Sequence, residues 1–80
     1  MSIRDEVFQL IRQATALAVP ITEKTHLYQD LHLDSISYIS LLLALEDRFG
    51  ITIEIPEMEQ CLVVGRMLEL VEEKTGEVPL

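Results

Sequence analysis

Aromatic residues are almost missing from this chain: 5% of its 80 residues, with no tryptophan. Large rings cannot build its interior, so leucine, isoleucine and valine must. Basic residues are few as well. Six Lys and Arg stand against 14 Asp and Glu, for a formal net charge of -8. A nucleic-acid backbone would repel such a chain. The charge favours basic partner surfaces and steered encounters instead, although an acidic surface also serves solubility alone. A single cysteine excludes an internal disulfide and fits a reducing compartment. No apolar run approaches the ~20 residues of a membrane span. The opening Met1-Ser2-Ile3-Arg4-Asp5-Glu6 carries no signal-peptide apolar segment, so a cytoplasmic protein is expected. Internal repeats and low-complexity tracts are absent.

What the chain does have is apolar content, 49% of its residues, too much for a disordered segment. Its length suits one small domain over residues 1–80, with a small and marginal core.

Four helices are predicted, three long and one short, with a long first loop: an all-α, small four-helix bundle. Ser2 caps the first, with Asp5 and Glu6 in its favourable first turn. Ile3, Val7, Leu10, Ala14 and Leu17 form a stripe, with Phe8 and Ile11 beside it. The helix is expected to run to Ala16 or Leu17, roughly 21 Å at 1.5 Å per residue, before Pro20 stops it. Residues 18–34 form a long connection, expected to be anchored by Ile21, Leu27, Tyr28, Leu31 and Leu33, with one turn over Asp30–Leu33. The second helix spans Ser35 to about Arg48, and Gly50 ends it.

That second helix is apolar on two sides. Leu41, Ala44, Leu45 and Phe49 make one stripe; Ile36, Ile39 and Leu43 make another. One stripe suffices for a small bundle. The other lines a ligand cleft, meets partners, or is wrapped by the rest of the chain. Ile51, Ile53 and Ile55 then alternate with Thr52 and Glu54 like a strand. With nothing to pair with, that stretch reads as an extended crossing segment. Pro56 opens a short third helix ending near Cys61. Val64 or Gly65 starts the fourth, with Leu68 and Val71 inward. Gly76 ends it, Pro79 lies beyond, and Glu77–Leu80 form a frayed tail. The predicted core is Val7, Leu10, Leu41, Leu45, Phe49, Leu68 and Val71.

The stretch with chemical interest is Asp30-Leu31-His32-Leu33-Asp34-Ser35-Ile36. Ser35 falls where a loop becomes a helix. Free N–H groups and the positive dipole end favour an anion there. A phosphate esterified to its hydroxyl would be held; an unmodified serine would simply cap the helix. Enzyme chemistry has little support. No base and no G-x-S-x-G turn accompany Ser35. The aspartates do not spell an EF-hand, since Leu41 stands twelfth from Asp30, where a bidentate carboxylate is required. His26, His32 and Cys61 lack paired metal-ligand spacing. Cys61 reads as a small buried hydrophobe.

Taken with Leu45-Glu46-Asp47-Arg48-Phe49-Gly50-Ile51, the Ser35 stretch resembles the signature of acyl carrier proteins, roughly D-L-G-x-D-S-L followed by L-E-x-x-F-G. The resemblance covers nearly the whole chain. It implies that Ser35 receives 4′-phosphopantetheine from coenzyme A, and that the chain is a shuttle, not an enzyme. Asp34 then helps bind the transferase or stabilises the helix start. Leu41, Ala44, Leu45 and Phe49 then face the core. Ile36, Ile39 and Leu43, with Glu46 and Asp47, face partners. The partners implied are a phosphopantetheinyl transferase, an acyl- or aminoacyl-loading ligase, and downstream acyltransferase or synthase enzymes; a monomer is expected.

Two departures matter. His32 stands where the family commonly has glycine, and must tolerate a turn conformation that glycine adopts more easily. Ser37 and Ser40 stand where fatty-acid carriers often have acidic residues. Partner enzymes are then expected to grip apolar side chains more than charges. This points to a free-standing carrier for specialised lipid, polyketide or aminoacyl chemistry. The rival reading is an unmodified helical interaction module. Ser35→Ala separates the two, at an expected capping cost of about 1 kcal/mol.

Overall fold

A computed structural model describes residues 2–76. The expectations for Pro79 and the tail lie outside them. Among the described residues the elements are α1 (Ile3–Ala14), α2 (Ser35–Phe49), α3 (Ile55–Gln60) and α4 (Val64–Thr75).

Ser2 caps α1 as expected, its hydroxyl accepting from the Asp5 N–H at 3.1 Å. The helix nevertheless stops at Ala14, short of the predicted Ala16 or Leu17. Pro20 is not the cause. Thr15 is already extended, and its hydroxyl donates to the Leu31 carbonyl at 3.0 Å while accepting from the Leu17 N–H. A side chain that bonds both the loop and its own backbone competes with the next helical turn. Arg12 holds the departing chain by donating to the Leu17 and Val19 carbonyls.

The long connection is packed, not loose. Leu27, Leu31 and Leu33 are buried, with Ile21 and Tyr28 half-buried against them. Its turn begins earlier than predicted: the N–H groups of Asp30 and Leu31 both donate to the His26 carbonyl. The Asp30 carboxylate accepts from the His26 N–H, and the His26 Nδ1 accepts from Tyr28 and Gln29. A short antiparallel bridge, His26 opposite Val63, then stitches the loop to the start of α4. Leu27 donates to Leu62, Val64 to Thr25, and Gly65 to Glu23, all within 2.9 Å. Gly65 is required at this contact, because a Cβ there would lie 2.9 Å from the Glu23 carbonyl oxygen.

Helix α2 ends on Gly50, whose left-handed backbone (φ 64) lets its N–H reach the Glu46 carbonyl. Residues 51–54 cross without forming a strand. Ile53 is buried, and its N–H donates to the Glu46 carboxylate at 2.8 Å. In α3, Pro56 occupies the second helical position, and the Glu57 carboxylate accepts from the Glu54 N–H. The same carboxylate pairs with Lys74, tying α3 to α4.

The core draws on all three long helices and the loop. Val7, Leu41, Leu45, Leu68 and Val71 are buried as predicted. Leu10 and Phe49, predicted for the core, are only half-buried. Ile11 takes the place expected of Leu10, because α1 buries the pair Val7 and Ile11, four residues apart. Tyr38 and Leu42 complete the inward face of α2.

Candidate functional site

The stretch leading to Ser35 alternates inside and out. Leu31 and Leu33 are buried, while His32, Asp34, Ser35 and Ile36 are exposed. Two buried leucines therefore anchor the loop and leave the serine on the surface. His32 sits in the left-handed region (φ 56), the one non-glycine with positive φ among the described residues. That matches the glycine-like turn expected there. The conformation lets its N–H donate to the Tyr28 carbonyl while the next N–H, from Leu33, turns back to Leu27.

Asp34, not Ser35, is the helix cap. Its carboxylate accepts from the Ser37 N–H at 2.7 Å, and Ser35 is the first residue of α2. The reading of Ser35 as a cap is thus corrected: the acceptor three residues before Ser37 is a carboxylate, which answers the helix dipole with a full charge. That hydrogen bond holds the Asp34 carboxyl below its ordinary pKa. Ser35 is left with an exposed hydroxyl and no structural duty as a cap.

The second apolar stripe of α2 faces outward. Ile36, Ile39 and Leu43 are 76%, 46% and 58% exposed. Ile55, at the start of α3, is exposed too. Asp47 is exposed, whereas Glu46 is half-buried with its carboxylate bonded to Ile53. Arg48, adjacent in sequence, pairs with Glu6 of α1. The structure thus groups the three apolar side chains on one face and gives Glu46 a structural bond of its own.

Tyr38, which the sequence reading did not single out, lies beneath this face. It is buried, with its hydroxyl donating to the Met58 carbonyl at 2.7 Å and standing 3.1 Å from both the Cys61 carbonyl and Sγ. Its ring meets Tyr28 at 5.3 Å. Burial pushes both the Tyr38 hydroxyl and the Cys61 thiol to higher pKa, so both stay protonated at neutral pH. The spacing Tyr38, Leu41, Leu45 is the signal that marks it as core. On the other flank, α2 and α1 leave a groove of about 260 Å³ lined by Ala14, Ser37, Ser40 and Ala44, with Leu41 at its floor.

Among the described residues, no three His, Cys, Asp or Glu side chains gather to hold a metal, and no helix is long and apolar enough to cross a membrane.

Residues 5–71 match the family described as "Phosphopantetheine attachment site". The acyl carrier protein of Saccharopolyspora erythraea is 39% identical over 72 residues, covering 84% of this chain and 76% of that protein. The chain belongs to the acyl carrier protein family. Other carriers are also similar. That of Petrotoga mobilis is 33% identical, covering 89% of each chain. That of Thermotoga maritima is 28% identical over 95% of this chain and all of its own length. The group this carrier family bears is a covalent 4′-phosphopantetheine.

The local structure fits such a group. An exposed hydroxyl stands at the positive end of a 15-residue helix. The Asp34 carboxylate works against a phosphate there, since it already answers the dipole.

Proposed function

We propose that this carrier bears its 4′-phosphopantetheine on Ser35 and contributes no catalysis of its own. The observation behind this is the exposed, uncapped hydroxyl of Ser35 at the first position of α2, held out by the buried Leu31 and Leu33. The arm's terminal thiol holds an acyl group as a thioester. The 80 residues act as one domain that presents this arm to successive enzymes. Asp34 steadies the helix start and offers a carboxylate to the transferase that modifies its neighbour.

Partners dock on the outward face of α2, with Ile36, Ile39 and Leu43 as apolar anchors, Ile55 at its margin and Asp47 as a charged contact. They comprise a phosphopantetheinyl transferase, a loading ligase, and acyltransferase or synthase enzymes. Buried apolar anchors carry most of the energy of such interfaces. With serine at positions 37 and 40, this face has little charge between its anchors. That supports a specialised lipid or polyketide pathway. Enzymes of housekeeping fatty-acid synthesis are expected to turn over the loaded chain more slowly than their own carrier, and equal rates would refute this specialisation.

Attachment is tested by intact mass before and after incubation with coenzyme A and a broad-specificity transferase. The chain is expected to gain one phosphopantetheine and Ser35→Ala none. Because Asp34 is the cap, Ser35→Ala is expected to keep its stability within ~0.5 kcal/mol, not to lose the ~1 kcal/mol of a cap. A folded Ser35→Ala that still gains the mass refutes the assignment.

A further inference from the structure

We propose that Glu46 is a positioning residue for partner docking: it braces the chain between α2 and α3 so that Ile55 stands outward as an anchor. This deepens the docking reading above and rests on it.

The brace begins with a charge in an unfavourable place. Glu46 lies in the last turn of α2, where the negative end of the helix dipole opposes a carboxylate. It is half-buried there, and its carboxylate accepts the Ile53 N–H at 2.8 Å. A hydrogen bond to an ionised acceptor is among the stronger kinds. The Glu46 carbonyl takes the N–H groups of Gly50 and Ile51 as well. One residue thus gathers three N–H groups and fixes the path of residues 50–53. Among the described residues, 51–54 belong to no strand. No ladder is there to satisfy the Ile53 N–H, and the Glu46 side chain does so instead.

The isoleucines show the consequence. Ile51 is half-buried and Ile53 is buried. A chain that stayed extended would turn Ile55 to the same side. Ile55 is instead 72% exposed. The chain enters α3 at this residue, with the Glu57 carboxylate accepting from the Glu54 N–H at 3.0 Å. Ile55 therefore stands between two carboxylate bonds, one to Ile53 before it and one to its neighbour Glu54. No residue of α3 is fully buried. Its position depends on such bonds, together with those of Tyr38 to Met58 and Lys74 to Glu57. A β-branched side chain on a braced backbone loses little freedom on binding.

The partner this arrangement fits presents an apolar pocket to Ile55 and makes no use of the Glu46 charge. Because Glu46 acts through the backbone, a neutral acceptor of the same shape serves as well as a carboxylate.

The test measures KM and kcat of the chain in phosphopantetheine transfer from coenzyme A by a broad-specificity transferase, with product read by intact mass and folding by the amide spectrum. Glu46→Gln keeps an acceptor oxygen and loses the charge, and its KM is expected to stay within about twofold of wild type. Glu46→Met keeps the length and loses the acceptor; Ile55→Ala removes the anchor. Each is expected to raise KM about fivefold, as for a truncated anchor, with kcat unchanged. The double variant is expected to match either single one, since both act on one anchor. A Glu46→Gln KM raised as far as that of Glu46→Met makes the charge a direct contact and overturns the proposal. So does an additive double variant, or a wild-type KM in folded Glu46→Met. If Glu46→Met does not fold, a raised KM in Glu46→Gln or an unchanged one in Ile55→Ala overturns it. Leu43→Ala separates this proposal from the docking reading. If Leu43→Ala raises KM and Ile55→Ala does not, the proposal alone falls. If neither raises it, the docking reading falls as well. A wild-type chain that gains no mass brings down the attachment reading and this proposal with it.

Discussion

Cys61 is the only cysteine in the chain and is 1% exposed, with its thiol kept protonated by burial. Reactivity belongs to the accessible thiolate. A thiol reagent is therefore expected to find no reactive group in the native unloaded chain and one after denaturation. Once loaded, the native chain is expected to show one, the arm's, and the denatured chain two. Rapid native labelling of Cys61 in the unloaded chain would show that the α2–α3 packing around Tyr38 opens readily. At the same scale, the division of labour between Asp34 and Ser35 separates two functions that a serine cap would have merged. The carboxylate holds the helix start, and the hydroxyl is free for modification without loss of a cap.

At the scale of elements, two helix starts depend on ionised carboxylates. The Ser37 N–H on Asp34 at α2, and the Glu54 N–H with Lys74 on Glu57 at α3, hold both groups below their ordinary pKa values. A folded pKa below the unfolded one adds stability that is complete above the unfolded value and lost as pH falls through the folded value. Urea midpoints of Asp34→Asn with Glu57→Gln are therefore expected to fall below wild type at pH 7. That gap is expected to shrink as pH drops below about 4, near the unfolded carboxylate values. A gap that stays constant to the lowest pH would show that the substitutions act through packing, not charge. Helix α1 shows the opposite kind of control. Its end is decided by the Thr15 hydroxyl reaching the Leu31 carbonyl, a contact sixteen residues away.

For the whole molecule, the two faces of α2 should respond oppositely to the same truncation. Leu45 is completely buried, and Leu45→Ala is expected to cost about 2–5 kcal/mol, a large share of the ~5–15 kcal/mol that holds a domain together. Leu43, two residues earlier, is 58% exposed. Leu43→Ala is expected to change stability by less than ~0.5 kcal/mol and to slow transfer by partner enzymes. Urea denaturation and transfer rates read the two effects separately. A Leu43→Ala variant as unstable as Leu45→Ala would place that side chain inside the fold.

The number of helices, their order and the signature around Ser35 were legible in the sequence, because apolar spacing, glycine stops and proline positions are local properties. So was the strained turn at His32, since a residue standing in a glycine's place must take up its backbone. The outward stripe of α2 was visible as a pattern, but periodicity alone shows two apolar sides without saying which is covered. Only the packing decided that Ile36, Ile39 and Leu43 face out while Tyr38 turns in to meet Met58 and Cys61 twenty or more residues on. Packing likewise decided that Ile11 goes deeper than Leu10, that α1 stops at Ala14, and that small side chains leave a groove between α1 and α2. Each of these depends on contacts between segments distant in the chain, and such contacts leave no periodic trace in either segment.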